Sequence, residues 1–234
     1  LPQKIIQAKH DATDVRLAQF DLPDGAAWIT EARTAAVNRV KAMGLPHGRD
    51  EYWKFTKPDT LVQPEAPKSG IFDNDEGPLW DDTDRLKIVF VDGVFDAAES
   101  DDFSAEGLVI ERLPDAANKD IHWAKDIYGV LEIRGQDAVQ RPLAALNTAF
   151  ATDGVLIHVT GKVTKPVNLI YHHNSDSSDV ILHHCIKIED GAEMTLLETG
   201  PGLHASTRSW RSTWLIRRRS TMFVCRGATM SAAP

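Results

Sequence analysis

The sequence predicts a mainly β chain, in which short strands stack as rungs behind a small helical and α+β N-terminal region. Three observations carry this reading. Between Leu146 and Val167 the chain reads LNTAFATDGVLIHVTGKVTKPV: an Asp153-Gly154 turn launches the apolar run Val155 to Val159, a Gly161 turn follows, and Pro166 opens a further strand from Val167 to Tyr171. Apolar runs of similar size recur at 180–189 and 194–198, divided by the Asp190-Gly191 turn. The first third of the chain, by contrast, holds a helical pattern and a long polar loop. Strands this short at this spacing suggest stacked rungs rather than an open sheet.

Taken in order, residues from about Ala26 to Met43 read as an amphipathic helix, with Ala27, Ala35, Ala36, Val37 and Val40 as its small or apolar positions. Gly44 and Pro46 stop it. HGRDEYWKFT (47–56) then sets Tyr52, Trp53 and Phe55 among charges. Packing of the aromatics against the helix, with Arg49, Asp50, Glu51 and Lys54 solvated, is the favoured reading; a binding platform for a base or a partner chain is the other. Residues 57–85, rich in proline, glycine and acids, read as a loop. LKIVFVDGVF (86–95) is a strand, an Asp92-Gly93 hairpin turn and the start of a return strand. Leu108 to Leu113 is a strand candidate, and Ala117 to Tyr128 is expected to be a helix from the spacing of Ile121, Ala124, Ile127 and Tyr128. A short helix, Pro142 to Phe150, precedes the rungs. In the Val180 run, period-two alternation places Ile181, His183, Cys185 and Lys187 on one face and Leu182, His184, Ile186 and Ile188 on the other, the latter being the better core face.

Composition narrows the function. With 234 residues, 42% of them hydrophobic, the chain can bury a substantial core. No apolar run approaches the roughly 20 residues that span a bilayer, and the segment after Leu1 lacks a basic-then-apolar leader. Two cysteines, Cys185 and Cys225, make no disulfide framework, which favours a reducing, cytoplasmic setting. The net charge is −8, and all acids lie at or before Glu198. An acidic body argues against nucleic acid as partner, and nothing indicates a membrane. No Walker motif is present, so ATP hydrolysis through one is excluded.

The tempting chemistry lies in His172, His173, His183, His184 and Cys185, because imidazole and thiolate ligate zinc or iron. Adjacent histidines on a strand point to opposite faces, so His172, His183 and Cys185 form the candidate metal set, as in a cupin-like metal-dependent enzyme. The His-x-His spacing of such enzymes is missing, and strand-end histidines bonded to backbone and water are the favoured alternative. Cys185 in mid-strand has no helix N-terminus to activate it. No catalytic residue is assigned.

Several segments resemble a known family. GLPHGRDEYWKFT (44–56) is similar to the GLP-x-R-x-E-x-W-K-Y-T entry motif of the SufD branch of the SufB/SufD family of iron–sulfur cluster assembly proteins. IVFVDG (88–93) resembles that family's first core hairpin, LNTAFATDGVLIHV with KPV (146–167) its passage into a β-helix, and HHCIKIEDGAEMTLLE (183–198) an early rung. The resemblance implies a right-handed parallel β-helix and a non-catalytic scaffold subunit. It implies a SufB-like paralogue paired through that β-helix, a SufC-like ABC ATPase docked through C-terminal helices, and no resident cofactor. The iron–sulfur cluster is assembled transiently by the complex. The family's cluster-handling residues have no matching positions here, so none is carried over.

The expected organisation is 1–137 as the N-terminal helical and hairpin region, 138–202 as the start of an incomplete parallel β-helix, and 203–234 as an aberrant tail. From Leu203 onward there are six arginines and no acid, with Ser, Thr, Arg and Trp repeated and no strand alternation. That composition matches a high-GC gene read out of frame. The expectation is a C-terminally truncated copy without the helices that dock a SufC-like ATPase.

Overall fold

A computed structural model describes residues 3–53, 55, 58–64, 80–136, 139–176 and 179–200, together with the backbone of 211–217 and 222–227. Two helices come first, α1 (Gln3–Leu17) and α2 (Ala27–Met43), followed by the hairpin β1 (Leu86–Val91) and β2 (Val94–Asp96). β3 (Leu108–Arg112) runs into the short α3 (Leu113–Ala117), and α4 (Val130–Gly135) precedes α5 (Pro142–Phe150). Six strands follow among the described residues: β4 (Val155–Val159), β5 (Val167–His172), β6 (Ile181–Ile188), β7 (Met194–Thr199), β8 (Arg211–Arg217) and β9 (Met222–Gly227).

The strands form a five-stranded sheet, ordered β2-β1-β5-β7-β9, and a four-stranded sheet, ordered β3-β4-β6-β8. From β4 onward the chain alternates between the sheets, and from β6 onward each strand lies parallel beside the one two before it. The step is 29 residues in both sheets where it is first made, Leu156 pairing with Cys185 and Val167 with Leu196. β1 joins β5 in parallel, Leu86 opposite Val167, whereas β3 caps β4 in the antiparallel sense. Hairpin geometry follows the sequence: Asp92 (φ 49°) and Gly93 (φ 84°) both take the left-handed conformation that matches strand twist in a tight two-residue turn.

Two apolar clusters result. Between the sheets, Ile88 and Phe90 meet Val155, Ile157 and Val159, Leu169, Ile186 and Leu196, all buried. Outside the four-stranded sheet, Ile29, Ala36 and Val40 of α2 and Ala145, Leu146 and Ala149 of α5 cover Leu156, Ile181 and Cys185. Small residues at 36, 145 and 149 let α2 and α5 lie close together, and each large aliphatic side chain so buried contributes about 1.5–3 kcal/mol. The predicted alternation in β6 holds, but both of its faces are buried: Ile186 and Ile188 between the sheets, Ile181 and Cys185 under the helices.

Among the described residues helices supply as many residues as strands, so the fold class is mixed α/β with two sheets, not mainly β. Part of the difference is α1, whose only buried residues are Thr13 and Arg16, so its sequence carries no apolar stripe. The helix expected over Ala117 to Tyr128 does not form. Pro114 starts α3 early, α3 ends at Asn118, and only a 3₁₀ turn, Trp123–Asp126, follows. Ile121, one of the residues that suggested the helix, stands 93% exposed, while Ala124, Ile127 and Tyr128 are buried. The tail, where no alternation predicts strands, runs as β8 and β9, which pair along the edges of β6 and β7. Parallel pairing on an open edge uses backbone groups and does not require side-chain alternation.

Candidate functional site

His183 lies at the junction of β6 with the helical layer and is fully buried. Asn147 of α5 reaches down to it. The Asn147 amide Nδ2 donates to Leu182 O at 2.8 Å, which leaves its Oδ1 facing His183 Nδ1, also at 2.8 Å. His183 therefore carries its proton on Nδ1. Its Nε2 has no hydrogen-bond partner among the described residues, and the Tyr128 ring packs against the imidazole, tilted by 31° with centroids 4.3 Å apart. Burial, and then the positive charge of Arg33, lowers the His183 pKa to about 3.

Arg33 is itself buried and donates to three backbone carbonyls, Pro23 O at 2.9 Å, Asp24 O at 3.0 Å and Ala151 O at 3.0 Å. Tyr128 donates its hydroxyl to Thr148 O at 2.8 Å, and burial raises its pKa to about 12. His184, on the opposite face of β6, accepts from Val155 N at 3.0 Å through Nδ1, and its Nε2 lies 3.3 Å from the Tyr171 hydroxyl. Burial and the neighbouring His183 lower its pKa to about 3 as well. Cys185 is fully buried, and burial pushes its thiol pKa up. His183, His184, Tyr128 and Cys185 are thus neutral at physiological pH, which suits hydrogen bonding and packing rather than nucleophilic attack.

The candidate metal set does not assemble. His172 sits exposed on β5 in the five-stranded sheet, whereas His183 and Cys185 face the helices from the four-stranded sheet. Among the described residues no three His, Cys, Asp or Glu side chains are grouped as a metal site. His173 instead lies 3.3 Å from Asp92, whose carboxylate also accepts from Asn174 N and Ser175 N, both at 3.0 Å. This ties the hairpin turn to the end of β5.

Sequence reasoning missed Arg33, Asn147 and Asp153. Asp153, read as turn chemistry, is a buried hub. Its carboxylate accepts from Arg112 Nη2 at 2.7 Å, Phe95 N at 3.1 Å and Gly154 N at 2.8 Å. A lone amide in the apolar run of α5 and an arginine among the small and apolar residues of α2 were the available signals. The aromatic segment divides: Trp53 packs against the helical core, while Tyr52 is 62% and Phe55 93% exposed. Of its charges, Asp50 pairs with Lys9 at 2.9 Å, Arg49 and Glu51 are exposed, and Lys54 lies outside the described residues.

The site is thus a buried polar junction that fastens a helical layer onto a two-sheet framework. Residues 81–169, from just before β1 to Leu169 within β5, match the family model described as SufBD protein N-terminal region. Over those residues the chain is similar to the N-terminal region of SufB and SufD proteins. No curated protein matches the chain. Among the described residues no helix is long and apolar enough to cross a membrane.

Proposed function

We propose that the chain is a scaffold subunit of the SUF iron–sulfur cluster assembly complex, of the SufD branch, and that its strands build a parallel β-helix. The 29-residue step with which parallel strands alternate between the two sheets supports this reading, because a repeat that pairs only with its neighbours is how a solenoid grows. The GLP…W-K…T segment (44–56) supports the SufD branch. The neutral, buried state of His183, His184 and Cys185 supports a non-enzymatic role. The cluster is the cargo of the complex rather than a resident cofactor.

In this reading a SufB-like paralogue pairs through the β-helix, a SufC-like ATPase completes the complex, and the assembly works in the cytoplasm. The division at 137/138 and 202/203 belongs to the same reading, with residues from about Leu203 onward out of frame; the nucleotide sequence across the Pro201 codon tests that last boundary. Co-expression with a SufB-like and a SufC-like subunit tests the function. Stoichiometric recovery of the SufB-like subunit on the tagged chain is expected, and its consistent absence would sink the scaffold role. A cupin-like metalloenzyme built on His172, His183 and Cys185 has no geometric support, since those residues lie on different sheets.

A further inference from the structure

The scaffold reading assigns no ligand to the segment 44–53. It borders a cavity of about 580 Å³ between Lys9 of α1, the turn that follows α2, and Gln140 and Pro142 at the start of α5. That volume is within the range of small-ligand sites. The polar groups around it are unequally committed. Lys9 is bound to Asp50 at 2.9 Å, and the same carboxylate oxygen also accepts from His47 N at 3.0 Å. Glu51 is not free. The Arg49 guanidinium, in contrast, is exposed and makes no ion pair among the described residues. Tyr52 presents its ring while lying edge-on to Trp53, with centroids 6.0 Å apart.

One unspent cation, one open aromatic face and the Gln140 amide therefore converge on a single hollow. A guanidinium forks onto phosphate or carboxylate oxygens, an aromatic face stacks on a planar base, and an amide matches a base's polar edge. We propose that this cavity binds a ligand of the nucleoside monophosphate class, with its base against Tyr52 and its phosphate on Arg49. The proposal does not rest on the SUF assignment, and the ligand is bound unchanged.

Calorimetric titration of the 234-residue chain with AMP, adenosine and inorganic phosphate tests it. Saturable AMP binding is expected with Kd between roughly 10 μM and 1 mM, and with adenosine and phosphate each at least about tenfold weaker. Arg49→Glu should weaken AMP at least about tenfold while leaving adenosine unchanged; Tyr52→Ala should weaken both. Both side chains are exposed, so melting curves should match the parent; Arg49→Gln replaces Arg49→Glu if they do not. No saturation by about 5 mM AMP, phosphate binding as tightly as AMP, or AMP affinity indifferent to both substitutions would each overturn the proposal.

Discussion

Gly154 lies against the backbone of His183, so close that a β-carbon at 154 would overlap the His183 carbonyl oxygen. The residue takes φ 148°, a conformation that side chains disfavour, and His183 N donates to Asp153 O at 3.0 Å one residue earlier. The Asp-Gly pair is therefore a seat for β6 as much as a turn. Gly154→Ala combines backbone strain with an overlap that no rotamer relieves, and a loss of about 2–4 kcal/mol is expected. For a chain of this size that is a fall in melting temperature of roughly 5–15 °C, readable by calorimetry.

Asn147 bridges two buried groups, the Leu182 carbonyl and the His183 Nδ1–H. Asn147→Leu, similar in volume, strands both. An unmet buried donor or acceptor costs about 1–3 kcal/mol, so urea denaturation should show a loss of about 2–5 kcal/mol. A loss below about 0.5 kcal/mol would mean that the bridge does not fasten α5 to β6.

The strands were legible where each carried its own signal. Asp92-Gly93 announced the β1–β2 turn, and the apolar runs after Gly154 announced β4 to β7 within a residue or two at each end. Alternation in β6 sorted its faces correctly, yet the pattern could not reveal that helices cover the second face, because burial there is a tertiary fact. The same limit hid α1, which buries too little apolar surface to leave a periodic trace. It also misdirected the metal reading. Successive rungs brought His172 and His183 together on paper, while the alternation between sheets places them on different sheets.

Acid should loosen the junction through His183 and His184. Unfolded, each imidazole titrates near its ordinary 6.5; folded, each stays neutral down to about 3. Between those values the unfolded chain binds more protons, so this contribution is complete above pH 6.5 and is lost as pH falls toward 3. Two such groups give a slope approaching about 2.7 kcal/mol per pH unit. His184→Gln should halve the slope between roughly pH 6 and pH 4 in urea titrations; an unchanged slope would show that His184 titrates normally in the folded chain.

Arg39 and Glu132 make the one buried-carboxylate pair that ties α2 to α4 among the described residues. Arg39 Nε donates to Oε1 at 3.0 Å, Nη2 donates to Oε2, and Gln136 adds a bond to Oε1 at 2.7 Å. The Glu132 side chain is fully buried and that of Arg39 is 24% exposed. Removing the cation alone leaves a carboxylate with no counter-charge in the interior, whereas removing both charges leaves only a packing problem. Arg39→Ala should therefore cost about 2–4 kcal/mol, and Arg39→Met combined with Glu132→Leu should remain within about 1 kcal/mol of the parent. Denaturant midpoints of the two variants measure the difference. Equal losses would assign the effect to the packing of the arginine stem rather than to charge, because only an uncompensated carboxylate makes the single substitution worse than the double.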